Sequence, residues 1–192
     1  ATRMVILYQL TRGRVMLGGG RGALVSDAYM LGIDPITQRR RMDESMGIIL
    51  RLLNETDPIT YKGEWFTLNE ARLHLRPYTQ PHFPIAVAAA QSPSGMVLAG
   101  KYGLGVLSVS IVRGGSIAPN LEEFWKVAEK TAEEYNNTVS RDNWRVVLHV
   151  FIAETKKEAI EQARVAAGRY QREYFEETLG HDSVIDGPSD MI

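Results

Sequence analysis

Two short stretches carry the residue types that bind anions. In the first, Gly18, Gly19, Gly20 and Gly22 surround Arg21, directly after the short apolar run 14–17. Glycine lets the main chain reach positive φ and approach a ligand closely. Arginine offers a planar fork of donors that matches phosphate oxygens. A strand over 14–17 is therefore expected to end in a bare loop with one guanidinium in it. In the second, Ala89-Ala90-Gln91-Ser92-Pro93-Ser94-Gly95 joins an apolar strand to a helix that opens at Ser94. Free backbone N–H groups and the helix dipole favour an anion there, and Ser92 or Ser94 adds a hydroxyl. Together the two stretches would clamp one phosphate from both sides.

Plainer readings of the same residues stand beside this one. Gly18 to Ala23 also satisfies G-x-G-x-x-A, but a dinucleotide fingerprint needs a helix directly after the glycines and an acidic residue about 20 positions on. Leu24 to Asp27 reads instead as loop. A tight turn with a solvated arginine, and Ser94 as a simple N-cap, remain open. Ser108-Val109-Ser110 ends another strand with small residues that leave room for a ring system. His149 is expected to be a satisfied structural histidine, and His74 and His82 surface groups. There is no carboxylate cluster with metal spacing and no G-x-S-x-G elbow.

Composition narrows the class. The 192 residues are 44% hydrophobic and 23% charged, as in an ordinary globular protein. Lys plus Arg number 22 against 23 Asp plus Glu, so no global field attracts nucleic acid or an anionic membrane. No apolar run reaches the 18 or so residues of a membrane span, and the first residues lack the layout of a signal peptide. The absence of cysteine excludes disulfides, thiolate metal sites and cysteine nucleophiles, and fits a cytoplasmic location.

The elements that must position these groups alternate in type. Asp34-Pro35 is a helix start, and Met42, Met46, Ile49, Leu50 and Leu53 mark one buried face of a helix ending near Asn54. Residues 57–84 form an excursion: a hairpin turning at Lys62-Gly63, with Trp65 and Phe66 pinning it to the body, then a proline-rich connector. Strands are expected at 85–89, 104–109 and 145–152. Helices are expected at 94–102, closed by Gly103, at 120–136, opened by Asn120 and Glu123, and from Thr155 to about Leu179. Four strand–helix units with short connections imply parallel pairing, as in an open doubly wound sheet or part of a (β/α)8 barrel. A full barrel takes roughly 250 residues. Met4 to Leu10 reads as the end of a helix and 187–192 as the opening of another, so about half a barrel from a longer protein is expected.

In this order the motifs resemble the bacterial luciferase-like, flavin-dependent monooxygenases, which have a TIM-barrel fold. The carriers are GRVMLGGGRG at 13–22, DAYMLGIDP at 27–35, YKGEWF at 61–66, PHFPIAVA at 81–88, QSPS at 91–94 and LAGKYG at 98–103. The likeness spans nearly the whole chain and is nearest to a limonene monooxygenase-like subgroup. It places 1–192 as one partial barrel domain, strands 4 to 7 with their helices, the 57–84 excursion lying between helix 4 and strand 5. The resemblance implies reduced FMN, supplied by a separate flavin reductase, that activates O2 to oxygenate a small organic substrate. The family's phosphate-contacting arginine falls on Arg21 in the loop with Gly20. The phosphate contacts after the fifth strand fall on Gln91, Ser92, Ser94 and Gly95; luciferase itself has an acidic residue and a threonine at the places of Gln91 and Gly95. No catalytic residue carries over, because the family's catalytic histidine region is N-terminal to this chain. The deazaflavin F420 is the alternative cofactor, with hydride transfer in place of oxygenation; a catalytically silent flavin-binding protein is the alternative outside enzymology. A homodimer is expected, since half a barrel alone would expose strand edges and apolar surface.

Overall fold

A computed structural model describes residues 1–178 except 23, 91, 110, 114, 115, 119 and 149. In chain order the elements begin with helix α1 (Thr2–Leu10), strand β1 (Leu17–Gly19), short helix α2 (Val25–Met30), a 3-10 turn (Pro35–Thr37) and helix α3 (Gln38–Asn54). The hairpin β2 (Ile59–Lys62) and β3 (Thr67–Ala71) comes next, followed by β4 (Ile85–Ala88), α4 (Ser94–Tyr102) and β5 (Gly105–Val109). A second hairpin, β6 (Ile111–Arg113) and β7 (Ser116–Ala118), precedes α5 (Leu121–Glu134), β8 (Trp144–Val147) and α6 (Lys156–Tyr170). A π-helical stretch continues α6 over Gln171–Thr178.

One sheet organises the first of two compact units, Ala1–Ser108 with Leu121–Val146. Its order is β1-β4-β5-β8, and β1 pairs with β4, and β4 with β5, in parallel. Sequential neighbours joined through helices are the progression of a (β/α) barrel. On one face of the sheet lie α3, α4 and α5, and the core forms there from Met46, Leu53, Val87, Met96, Val106 and Trp125 with their neighbours. On the other face Gly18, Gly20 and Ala88 are exposed. The described parts of 109–120 and 147–178 form the second unit, in which the Thr155 hydroxyl accepts from the Glu158 amide (3.2 Å) and caps α6 as expected.

Several expected elements are confirmed with a physical cause. Asp34 accepts from the Ile36 amide at 2.9 Å and starts the turn into α3, and the Met42-to-Leu53 stripe faces the core. Gly103 closes α4 in the left-handed region, φ 64°. Others shift. The first strand is Leu17–Gly19 rather than 14–17, because the glycines themselves carry the ladder to β4. Residues 25–30 are helical rather than loop. The hairpin turns over 63–66 rather than at Lys62-Gly63, with the Gly63 amide donating to the Phe66 carbonyl. The expected strand 145–152 begins one residue earlier and stops at Val147. β8 ends the strand order of the sheet, and Leu148, Val150, Phe151 and Ile152, beyond its last residue, are exposed. The β6–β7 hairpin was not expected, and Leu179 lies outside the described residues.

A polar tie joins α3 to α4. The Lys101 ammonium bonds both Asp43 carboxylate oxygens (2.8 and 2.7 Å), and the Tyr102 hydroxyl donates to Asp43 Oδ1 at 2.9 Å. Asn137 donates to the Lys101 carbonyl at 2.6 Å, drawing in the chain after α5. Burial alone would lower the Lys101 pKa, but the Asp43 bond and the neighbouring Tyr102 and Asp43 charges outweigh it, so the net shift is upward. A pKa raised on folding stabilises the native state below the unfolded lysine value, and that stability is lost as pH rises through the folded one. Lys101→Met is therefore expected to lower the thermal midpoint of the full-length protein at neutral pH and to approach wild type as pH rises through the raised lysine value, above the ordinary lysine range. A deficit that stays unchanged across that rise in pH would contradict the tie.

Candidate functional site

Parallel pairing decides where the two candidate stretches end up. Gly19 lies opposite Val87, so Gly20 and Ala88 leave the sheet side by side, with 3.6 Å between a Cβ built on Gly20 and the Ala88 Cβ. The loops that follow, Gly20-Arg21-Gly22 and Ala89 to Ser94, thus depart from the carboxyl ends of adjacent strands. Carboxyl ends are where βα folds bind ligands. Arg21 is exposed and makes no hydrogen bond or ion pair among the described residues. Gly22 sits at φ +90°, which strains any other residue. Ser92 and Ser94 are half-buried, and their hydroxyls meet at 2.9 Å. Gln91 lies outside the described residues.

The helix start at Ser94 carries no side-chain cap: Pro93 is the N-cap residue, and Ser94 is the first helical position. Ser94 is therefore not the simple N-cap of the plainer reading. Its hydroxyl turns to Ser92, and the first-turn amides keep their capacity to donate. Gly95 is buried, and a Cβ there would overlap the Ala88 carbonyl oxygen. Glycine at this position lets the start of α4 rest directly on β4.

The glycine run has a different division of labour from that expected. A Cβ at Gly19 would stand 2.8 Å from Met42 Cε and 3.0 Å from Met46 Cε, and one at Gly18 would lie 3.3 Å from Leu107 Cδ1. These two glycines serve close packing within the sheet and beneath α3. Only Gly20 and Gly22 flank Arg21 in the loop. Ser108, at the end of the next strand, offers no free hydroxyl. It is fully buried and accepts from Trp144 Nε1 at 3.0 Å, while Trp144 stacks on Trp125 at 4.9 Å. Ser110 and His149 lie outside the described residues, His74 is exposed, and half-buried His82 bonds the Phe83 carbonyl through Nδ1 at 2.6 Å. Among the described residues no histidine or carboxylate group is arranged to hold a metal, and no helix is long and apolar enough to cross a membrane.

A family model described as luciferase-like monooxygenase matches residues 1–185. The chain belongs to the luciferase-like monooxygenase family. It is 43% identical to 4-hydroxyprotoasukamycin monooxygenase of Streptomyces nodosus subsp. asukaensis over 91% of this chain and 47% of that protein. With limonene 1,2-monooxygenase of Rhodococcus erythropolis it shares 42% identity over 99% of this chain and 50% of that protein. The chain thus spans about half the length of these curated relatives. An F420-dependent glucose-6-phosphate dehydrogenase of Amycolatopsis mediterranei is 31% identical over 68% of this chain and 40% of its own length. In fold, the chain superposes with TM-score 0.66 and 24% identity on the FMN-bound oxygenating constituent of 3,6-diketocamphane monooxygenase from Pseudomonas putida, covering 98% of this chain and 58% of that one. The sheet described above is accordingly part of a luciferase-like TIM barrel.

The roles of the glycines differ measurably. Gly95→Ala is expected to destabilise the full-length protein by about 1–3 kcal/mol through overpacking against backbone, whereas Gly20→Ala, which meets only ordinary contact, leaves the unfolding midpoint unchanged. Equal midpoints for the two variants would contradict this assignment.

Proposed function

We propose that the protein carrying this chain is a flavin-dependent monooxygenase that holds reduced FMN by its phosphate between Arg21 and the Ser92–Ser94 turn. What supports the reading most is the β1–β4 register, which sends both loops off the same end of adjacent strands. The residues fit such a group. An exposed guanidinium with no partner among the described residues, two hydroxyls that can each donate and an uncapped helix start supply the donors that a dianion requires. Gly20 leaves its backbone open to approach, Gly95 lets the start of α4 seat on β4, and Gln91, whose side chain can donate, belongs to the same loop as Ser92.

When bound, reduced FMN supplies the activation of O2. The chain's own residues bind and orient: Arg21 fixes the phosphate end, and the α4 amides neutralise its charge. The exposed small residues Gly18, Gly20 and Ala88 leave space on the inner sheet face for a flat ring. A small organic substrate, O2, a separate flavin reductase and a second copy of the chain complete the proposed system, placed in the cytoplasm. The second reading, hydride transfer with F420, is favoured by the likeness to the F420-dependent dehydrogenase.

Titration of the full-length protein with FMN and with F420, followed by turnover with reduced FMN and O2, tests the choice. FMN binding with product or peroxide formation is the expected result; binding of F420 alone would overturn it in favour of the second reading, and flavin binding without turnover in favour of a silent flavoprotein. Loss of a charge-assisted phosphate contact in Arg21→Ala is expected to weaken FMN by about 10- to 100-fold while leaving riboflavin, which lacks the phosphate, unchanged. Equal losses for both ligands would contradict the role given to Arg21.

A further inference from the structure

The hairpin β2–β3 grips α3 at the end nearest the Arg21 loop, and the grip is specific. Glu44 of α3 accepts three consecutive backbone amides of the hairpin turn: Glu64 at 3.2 Å, Trp65 at 3.4 Å and Phe66 at 3.3 Å. A Cβ at Gly63 would overlap the Glu44 carboxylate, so the turn closes on it only with glycine at that position. Trp65 lies half-buried with two guanidinium groups over its ring, Arg40 at 5.2 Å and Arg41 at 5.3 Å. Arg40 also pairs with Glu64 at 3.2 Å.

From Trp65 the contacts run on towards the loop. Arg41 donates through Nε to the Thr37 hydroxyl (3.2 Å), which donates to the Asp34 carbonyl (2.7 Å) at the turn that opens α3. Next along the chain, Gln38 brings its amide nitrogen within 3.5 Å of where a Gly22 Cβ would stand, and Met42 and Met46 abut Gly19. Both glycines bracket Gly20-Arg21. The hairpin turn therefore reaches the anion-binding loop through one helix, at two places.

We infer that Trp65, held by Glu44 and clasped by Arg40 and Arg41, is a positioning residue for Arg21: the hairpin fixes the start of α3, and the start of α3 fixes the loop that presents the guanidinium. This inference rests on the phosphate-holding role proposed for Arg21. The ring and amide contacts of Trp65 run to Arg40, Arg41 and Glu44 of α3, so its effect is expected on the loop that α3 supports, and hence on phosphate recognition rather than on binding of the ring system. A tether that only stabilised the fold would affect both alike.

Affinities of FMN and riboflavin for the full-length protein, measured for wild type, Arg21→Ala, Trp65→Ala, Trp65→Phe, Glu44→Gln and the Arg21→Ala/Trp65→Ala double variant, separate the cases. Trp65→Ala and Glu44→Gln are expected to weaken FMN by about 3- to 30-fold with riboflavin unchanged. Trp65→Phe, which keeps an aromatic face for the two arginines, retains most of the preference, and the double variant prefers FMN no less than Arg21→Ala alone. Glu44→Gln preserves the shape of the contact and carries the test should Trp65→Ala fail to fold. If Arg21→Ala abolishes the preference while Trp65→Ala and Glu44→Gln leave it intact, the positioning role is wrong and the phosphate role stands. Equal weakening of FMN and riboflavin by the hairpin variants also overturns it. If Arg21→Ala itself leaves the preference unchanged, both fall.

Discussion

The parallel ladder between β1 and β4 is the constraint on which the site depends. Leu17, Gly18 and Gly19 pair with Ile85, Ala86 and Val87, and a parallel pair must send both chains off the sheet at the same end. Arg21 and Ser92 are 71 positions apart in sequence, yet this ladder makes them neighbours in topology. An antiparallel pairing of the same strands would part them by the length of the sheet. The ladder in turn depends on glycine, since larger residues at 18 and 19 would drive Leu107 and the α3 methionines away.

Helix α3 converts that constraint into a rigid surround. Four successive residues serve three partners, because each step turns the helix by about 100° and the first and fourth share a face. Arg41 covers Trp65, Met42 meets Gly19, Asp43 binds Lys101 and Tyr102 of α4, and Glu44 holds the hairpin turn. Helix α3 is thereby fastened to α4, the helix that opens after the Ser92 turn. The ties through Asp43 and Glu44 add to the apolar core that α3 and α4 already share. Each is polar and directional, which suits a role in setting geometry rather than in supplying bulk stability.

How much of this could be read in the sequence follows from the range of each signal. Helices α3, α4 and α5 have periodic apolar faces, and the Asp34-Pro35, Gly103 and Thr155 signals are local, so they appear where expected. The start of β1 does not, because glycine has little strand preference of its own and Gly18-Gly19 is held in place by β4. For the same reason 145–152 looks like a long strand: Val146, Leu148 and Val150 have the composition, but pairing ends at Val147. The short helix over Val25–Met30 lacks a side-chain cap and was hidden by its neighbouring glycines. Trp65 was expected to pin the hairpin, and it does so together with Glu44, whose reach of some 20 positions to the turn amides leaves no sequence pattern. Phe66 contributes its backbone amide rather than its exposed ring. Of the candidate residues, Arg21, Ser92 and Ser94 stood out by type, and Gly20, Gln91 and Gly95 through the family resemblance. That the two loops would meet was already an expectation; the ladder adds the register that sets Gly20 beside Ala88.

A crystal structure of the full-length protein with FMN bound tests the central claim most directly. The account predicts the phosphate between the Arg21 guanidinium and the Ser92–Ser94 turn, at the carboxyl ends of β1 and β4 and within hydrogen-bond distance of both. A phosphate seated elsewhere, or one touching a single loop with Arg21 turned away, would contradict it.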